Sequence, residues 1–224
     1  MFLCLYSGGE RRRNEHIDLR IVERMGKRAS ITYIPSDSTH PGATSFFEDF
    51  KRYYGYYGIR SFKYFCHDRP FRPVDMHSAL EADAVYLSGG NTFYFSHSLR
   101  RSKLDSKLRS FATKGGALLG QSAGSILMTP TITTAAVGPI KDENEVGLKD
   151  LTGLGLINVL FVPHYEERRK VTTELRRFSS ASDGRLLVAA QDGGGIIKSE
   201  EALTFAGPVT LFSGGEVLGT INKR

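Results

Sequence analysis

The sequence predicts an α/β protein with a doubly wound, mostly parallel sheet and helices on both faces. Apolar runs typical of strands alternate with helical periodicity from Phe2 to Leu119. This alternation is typical of right-handed strand–helix–strand units. After about residue 183 the runs become short and Gly-rich turns separate them, which indicates antiparallel strands near the C-terminus. No repeat or linker divides residues 1–224, so we expect a single domain.

Each strand is inferred from an apolar run that ends at a turn residue, and each helix from apolar residues spaced three or four apart. The predicted strands are Phe2–Tyr6, Ser30–Ile34, Ile59–Phe65, Ala84–Leu87, Ala117–Leu119, Val159–Val162, Arg185–Ala190, Ile196–Ser199, Ala202–Ala206 and Val209–Phe212. The predicted helices cover residues 17–25, 46–54, 74–82 and 104–111. We interpret the aromatic stripe from Phe46 to Tyr54 as part of the core rather than as a cofactor site.

The composition is that of an ordinary globular protein, with 40% hydrophobic and 24% charged residues. No apolar stretch reaches the roughly 20 residues that a membrane helix needs. The N-terminus resembles a first strand more than a signal peptide, so we expect a cytoplasmic protein. The net charge of +6 arises from short, scattered basic clusters. We interpret them as solvated faces rather than a nucleic-acid surface, with attraction of small acidic substrates as the alternative.

A candidate nucleophile lies in residues 120–124, which read Gly-Gln-Ser-Ala-Gly between a buried apolar run and residues that can start a helix. This is the context of a nucleophile elbow, where small neighbours allow a sharp turn that exposes the serine hydroxyl. The pattern therefore predicts Ser122 as a nucleophile. The same motif can also arise by chance in a chain with 24 glycines.

A serine nucleophile needs a base, and the base needs an acid that orients it. Among the six histidines, His164 follows an apolar run that ends at Pro163, where active sites of doubly wound sheets lie. The choice of acid stays open at this point. The candidates are Asp183, in an Asp-Gly pair that also fits a plain turn, and Asp142, Glu166 and Glu167.

An oxyanion hole needs backbone amides that face the developing charge. The amide of Ala123, directly after the nucleophile, is one expected donor. The loop Ser88–Asn91 is expected to supply the other, because its two glycines can turn their amides toward a ligand. A plain turn would have the same sequence.

Together these segments resemble peptidase E, a family of serine peptidases that hydrolyse Asp-X dipeptides and are related to the cyanophycinases. The resemblance covers about Leu3 to Glu216 and is carried by Ser88–Phe93, Gly120–Gly124, Pro130–Ile132, Gly153–Ile157 and Val162–Tyr165. It implies a fold like that of the class I glutamine amidotransferases and flavodoxin. It also implies Ser122 as nucleophile, His164 as base, and Gly90 with Ala123 in the oxyanion hole.

The sequence departs from the family pattern at the acid. Peptidase E has an Asp shortly after its Pro-Thr-Ile segment, but residues 133–137 contain no acidic residue. Family members also carry a Glu in the turn before the late strand, so the resemblance implies Asp183 as the third triad member. It further implies that Arg168 or Arg169 binds a substrate carboxylate bidentately, and that Asn91 contacts the substrate.

The resulting expectation is a serine peptidase that cleaves short peptides after an acidic residue, above all Asp-X dipeptides, through an acyl-enzyme. It needs no metal or organic cofactor and has no nucleic-acid or membrane partner, and the chain is expected to be a monomer or a homodimer. One alternative is an α/β-hydrolase esterase, whose chain order is Ser, acid, His. The other is a catalytically silent homologue that keeps the fold to bind a ligand.

Overall fold

A computed structural model describes residues 1–223, and within them it contains ten strands and seven α-helices. In chain order these are β1 (Phe2–Tyr6), α1 (Arg11–Met25), β2 (Ser30–Ile34), α2 (Ala43–Tyr56), β3 (Ser61–Tyr64), α3 (Pro73–Ala79), β4 (Ala84–Leu87), α4 (Thr92–Arg101), α5 (Leu104–Thr113), β5 (Ala117–Gln121), α6 (Ala123–Leu127), β6 (Leu160–Val162), α7 (Arg169–Ser180), β7 (Leu187–Ala190), β8 (Gly195–Lys198), β9 (Leu203–Ser213) and β10 (Glu216–Lys223).

The strands form one mixed sheet in the order β3-β2-β4-β5-β1-β8-β9-β7-β6, with β10 paired to β9. Strands β1 to β5 pair in parallel, as do β6 and β7. Every pair that includes β8, β9 or β10 is antiparallel. The predicted fold class, a mostly parallel α/β sheet with antiparallel strands near the C-terminus, is confirmed.

Both faces of the sheet are covered, as the alternation of side chains along a strand requires. In β1, Leu3 and Leu5 pack into a cluster with residues of α4, α5 and α6. The side chains on the opposite face of β1, Phe2, Cys4 and Tyr6, pack with α1 and α2. Each face therefore carries its own apolar core.

Two predicted strands, Ala202–Ala206 and Val209–Phe212, are in fact the single strand β9. The Gly207-Pro208 pair does not end the strand but marks the point where it changes partners. Before this pair β9 pairs with β8, and after it with β7. Gly207 has a φ of +69°, a backbone conformation that favours glycine. The prediction of two strands was wrong because Gly and Pro were interpreted as strand terminators.

Three elements were absent from the sequence prediction. They are α4, α7 and β10. Asn91 directly precedes helix α4 as its N-cap, and its side-chain oxygen accepts a 3.0 Å hydrogen bond from the backbone N–H of Tyr94. No helix within residues 1–223 has the length and apolar character needed to span a membrane.

Candidate active site

Ser122 occupies a strained turn between β5 and α6, with φ 52° and ψ −111°. The two flanking glycines make this turn sterically feasible. A Cβ atom at Gly124 would overlap the backbone carbonyl oxygen of Leu87, and one at Gly120 would lie 2.5 Å from the carbonyl carbon of Gly124. The backbone thus has the geometry of a nucleophile elbow, as the motif predicted.

His164 lies next to this elbow, directly after β6 and Pro163. Its Nε2 atom is 3.0 Å from the Oγ atom of Ser122, within hydrogen-bond distance. The imidazole is half-buried, and the residue has a φ of 56°. The structure therefore brings together the predicted nucleophile and base, which are 42 residues apart in sequence.

The carboxylate that contacts the imidazole belongs to Asp192. Its Oδ1 atom is 2.8 Å from His164 Nδ1, on the side of the ring opposite Ser122. Asp192 follows β7, and β7 pairs in parallel with β6, which precedes His164. The carboxyl ends of the two neighbouring strands therefore place these side chains side by side.

The prediction that Asp183 orients the imidazole is wrong. Asp183 lies before β7, at the opposite end of the strand from Asp192. Its side chain is 86% exposed, and its carboxylate is 3.7 Å from a guanidinium nitrogen of Arg185. Asp183 has a φ of 50° and Gly184 a φ of 71°, so both adopt left-handed backbone conformations. The Asp-Gly pair therefore forms a turn, which is the structural role that such a pair usually has.

The other acidic candidates also lie away from His164. The carboxylate of Asp142 accepts a 2.8 Å hydrogen bond from the backbone N–H of Thr92 at the start of α4. Glu166 forms an ion pair with Arg168, and Glu167 is exposed.

Two residues that the sequence analysis did not select, Ser7 and Gly8, complete the surroundings of the imidazole. The Ser7 hydroxyl donates a 3.0 Å hydrogen bond to Asp192 Oδ1, and its oxygen accepts the backbone N–H of His164 over 2.6 Å. A Cβ atom at Gly8 would lie 2.8 Å from His164 Cε1, so only glycine leaves room for the ring. Both residues directly follow β1. Active sites of doubly wound sheets lie at the carboxyl ends of strands, so this position could have identified them from the sequence.

The glycine loop expected to supply the second oxyanion donor lies beside the elbow. A Cβ atom at Gly89 would be 3.5 Å from the Cβ atom of Ser122. Gly90 has a φ of 135°, and a Cβ atom there would overlap the hydroxyl of Ser36. The placement of Gly90 and Ala123 around Ser122 is compatible with an oxyanion hole, and that role remains a prediction.

A cavity of about 850 Å³ opens beside these residues and includes Ser122, His164, Gly89 and Gly90 in its wall. Its volume lies within the range of small-molecule binding sites. Within residues 1–223, no group of three or more His, Cys, Asp and Glu side chains is arranged to hold a metal ion.

The sequence matches a known protein family over most of its length. The sequence model of peptidase family S51 matches residues 3–205. The chain belongs to peptidase family S51. Among curated relatives of this S51 chain, peptidase E of Nostoc sp. (strain PCC 7120) is 37% identical over 84 residues, which cover 38% of this chain and 33% of the relative. An uncharacterized peptidase of Pasteurella multocida is 31% identical over 83 residues, covering 37% of this chain and 40% of the relative.

A longer alignment links the S51 chain to peptidase E of Escherichia coli O1:K1, at 29% identity over 153 residues, or 64% of this chain and 65% of the relative. In each of these three alignments, the matched region is less than two thirds of the relative's length. A solved peptidase from an acI-B1 actinobacterium has the same fold, with a TM-score of 0.69 at 16% identity over 99% of this chain and 94% of that one. A crystal structure of a candidate peptidase E from Listeria monocytogenes gives a TM-score of 0.72 at 19% identity over 91% of this chain and 96% of that one.

In this S51 chain, the aromatic stripe of α2 has two roles. Phe50 and Tyr54 are buried in the core, as predicted, yet both also line the cavity. Phe46 lines the cavity too, although its side chain is largely exposed. The interpretation of the stripe as core alone was therefore incomplete.

Tyrosines from three strands also line the cavity. They are Tyr6, Tyr33 and Tyr86. Burial raises the pKa of each hydroxyl further above its ordinary value of 10.0. The hydroxyl of Tyr86 donates a hydrogen bond of 2.5 Å to the side-chain oxygen of Gln121, the residue before the nucleophile. The aromatic residues that line the cavity thus contact the turn that carries Ser122.

The predicted substrate-binding residues have different placements. Arg168 and Arg169 are exposed at the start of α7, and neither lines the cavity. Asn91 does line the cavity, but its side chain also caps α4 and donates a 2.8 Å hydrogen bond to the carbonyl oxygen of Glu143. The structure therefore does not bring the two arginines to the site.

Proposed function

We propose that this S51 chain is a serine-type peptidase that hydrolyses short peptides through an acyl-enzyme. The single observation that carries the proposal is the continuous arrangement of Ser122, His164 and Asp192. The two contacts measure 3.0 Å and 2.8 Å and use opposite nitrogens of one imidazole. Nucleophilic serine catalysis requires this geometry, in which each group activates or orients the next.

In the proposed reaction, the Ser122 hydroxyl attacks the peptide carbonyl while His164 Nε2 takes its proton. His164 then gives this proton to the departing amine as the carbon–nitrogen bond breaks, which leaves an ester on Ser122. A water molecule, deprotonated by the same nitrogen, hydrolyses the ester and returns the proton to Ser122. Asp192 remains ionised, fixes the tautomer with the proton on Nδ1 and stabilises the imidazolium.

The narrower expectation of cleavage after an acidic residue has its support in the resemblance to peptidase E. The arginines implied for that role, Arg168 and Arg169, do not line the cavity. We therefore propose the reaction type and the short peptide substrate.

The chain order of the three residues bears on the esterase alternative. The acid, Asp192, follows the histidine here, whereas in an α/β-hydrolase it lies between the serine and the histidine. The silent-homologue alternative would not need an imidazole in contact with a serine hydroxyl on one side and a carboxylate on the other. Both observations favour the peptidase.

Labelling with a fluorophosphonate tests the nucleophile directly. We expect covalent labelling of the wild-type protein at Ser122 and none in Ser122→Ala, with dipeptide hydrolysis lower by about 10⁶-fold in that variant. Ser180→Ala, an exposed serine on α7, is the matched control and should keep both properties. Unchanged hydrolysis in Ser122→Ala would refute the proposal, as would labelling at another residue.

A further inference from the structure

The loop that follows β2, residues 35–40, borders the cavity but has no part in the proposed reaction. We call it the β2 loop. We propose that Asp68, which does not line the cavity, is a positioning residue for the catalytic site and acts through the β2 loop. This inference rests on the proposed function, because it concerns the geometry around Ser122.

The carboxylate of Asp68 holds the β2 loop through Ser38. Its Oδ2 atom accepts a 2.7 Å hydrogen bond from the backbone N–H of Ser38, and its Oδ1 atom accepts one of 2.5 Å from the Ser38 hydroxyl. Both residues are only 8% exposed. Hydrogen bonds to an ionised acceptor are stronger than those between neutral groups. The two contacts therefore fix both the backbone and the side chain of Ser38.

Two arginines strengthen the connection between the β2 loop and Asp68. Arg69 donates a 2.9 Å hydrogen bond to the carbonyl oxygen of Ser38, and Arg101 of α4 donates one of 3.1 Å to the carbonyl oxygen of Asp68. Asp68 follows β3, which pairs in parallel with β2. Both loops therefore leave the sheet at the edge where the candidate active site lies.

The β2 loop in turn contacts the glycine loop beside Ser122. The backbone N–H of Ser36 donates a 2.8 Å hydrogen bond to the hydroxyl oxygen of Ser88, which donates one of 2.9 Å to the carbonyl oxygen of Gly89. A Cβ atom at Gly90 would lie 2.0 Å from Ser36 Oγ. The position of Ser36 therefore limits where the two glycines can lie.

A shift of these glycines should slow the reaction, because their amides are the expected oxyanion donors. Such donors stabilise the transition state only at hydrogen-bond distance, and a displacement of about 1 Å can cost about 100-fold in rate. Loss of the Asp68 carboxylate would release Ser38, which lies close to Ser36 in the chain. We expect a partial displacement, with a loss of about tenfold.

The opposite end of β2 offers a matched control. Asp83 Oδ2 accepts the backbone N–H of Ser30 over 2.8 Å and the Ser30 hydroxyl over 2.9 Å, so this pair makes the same two kinds of contact. Ser30 is the first residue of β2, far along the strand from the β2 loop, and neither residue lines the cavity. Asp83→Ala therefore removes an equivalent contact without releasing the β2 loop.

The first test measures fluorophosphonate labelling of Ser122 and dipeptide hydrolysis in both variants. In Asp68→Ala, we expect the labelling rate and kcat to fall by about tenfold or more, and in Asp83→Ala to stay within about twofold of the wild type. Ser38→Ala keeps the backbone hydrogen bond and should have an intermediate effect. Urea unfolding shows whether each variant is folded in the assay, and Asp68→Asn replaces Asp68→Ala if that variant does not fold. Wild-type labelling and kcat in the Asp68 variant would overturn the inference.

The second test uses hydrogen exchange, which does not depend on activity. The backbone amides of Ser36 and Ser38 are both hydrogen-bonded. We expect amides of the β2 loop to exchange about tenfold faster in Asp68→Ala than in the wild type, and at the wild-type rate in Asp83→Ala.

The exchange measurement separates this inference from the proposed function. If the β2 loop keeps its wild-type exchange in the Asp68 variant, the inference is overturned whatever the activity. If exchange accelerates in that variant alone but the wild type is neither labelled nor active, the inferred positioning of the loop stands and the serine peptidase proposal fails.

Discussion

Ser7 and Asp192 are hydrogen-bonded, hydroxyl to carboxylate, over 3.0 Å. The same hydroxyl oxygen accepts the backbone N–H of His164 over 2.6 Å, so one buried side chain contacts both the acid and the histidine. Backbone hydrogen bonds of 3.0 Å from Ser7 to Gly194 and from Gly193 to Gly8 join the two loops that carry Ser7 and Asp192. We therefore expect Ser7 to be a positioning residue, which acts through the orientation of these two groups.

Replacing Ser7 with alanine should lower kcat about tenfold and leave KM nearly unchanged. The carboxylate of Asp192 loses one donor, and hydrogen bonds to charged groups contribute about 1.5–3 kcal/mol. Steady-state kinetics on one dipeptide measure both constants, and a thermal melt shows whether the fold is intact. A rise in KM at constant kcat would show that Ser7 acts on substrate binding instead.

The assignment of the acid leads to a paired prediction. Asp192→Asn should reduce kcat by about 10⁴-fold, because an amide cannot hold the histidine in the required tautomer. Asp183→Asn should retain full activity, since that side chain is exposed and lies beside Arg185. Kinetic comparison of the two variants decides between the residues, and the reverse result would restore Asp183 to the site.

Much of the fold follows from local sequence patterns. Strands β1, β2 and β4 have the predicted bounds, because each is a short apolar run that is followed by Ser or Pro. The errors arise where tertiary structure overrides a local signal. Gly207 and Pro208 suggest a break, yet both lie inside β9, where it changes partner strands.

The site was predictable to the extent that its residues carry a local signature. Ser122 lies in a motif, and His164 follows a recognisable strand, so both could be selected from sequence. The same reasoning applies to Asp192, which follows the predicted strand that ends at Ala190. Asp183 precedes that strand, and parallel strands place their beginnings at the edge opposite the site. The aromatic cavity depends on packing between α2 and three strands, which no local pattern reveals.

Gly124, two residues after the nucleophile, should be essential for stability. In Gly124→Ala, the added methyl group would overlap the backbone carbonyl of Leu87. A backbone group, unlike the end of a long side chain, cannot move aside easily. Overpacking of this kind costs about 1–3 kcal/mol or more, so we expect a clear fall in the urea midpoint.

The matched control for this change is Gly55→Ala. Gly55 lies in α2, and an added Cβ atom there would only contact a guanidinium nitrogen of Arg60 at 3.5 Å. Because alanine is favoured over glycine in a helix, the control should be neutral or more stable by up to about 1 kcal/mol. Equal urea midpoints for Gly124→Ala and the wild type would contradict the close packing described at the elbow.

A buried carboxyl group behind the cavity should make stability depend on pH. Asp18 in α1 is fully buried, and its carboxylate accepts hydrogen bonds from the hydroxyls of Tyr53, at 2.6 Å, and Tyr57, at 3.0 Å. Burial raises its pKa to about 7, although the two hydrogen bonds oppose the rise. Between about pH 4 and pH 7, the folded protein therefore keeps a proton that the unfolded chain has lost.

Because the folded state binds more protons in this window, the free energy of unfolding should fall as the pH rises through it, and level off for this group above about pH 7. The rise of the Asp18 pKa from its ordinary value of 3.8 corresponds to a fall of about 4 kcal/mol at most in the free energy of unfolding across this window. Urea unfolding at pH 5 and pH 8 measures the effect, and Asp18→Asn should remove most of it. Glu23→Gln, an exposed change on the same helix, should preserve the wild-type dependence. An equal pH dependence in Asp18→Asn and the wild type would show that Asp18 is ionised in the folded protein at both pH values.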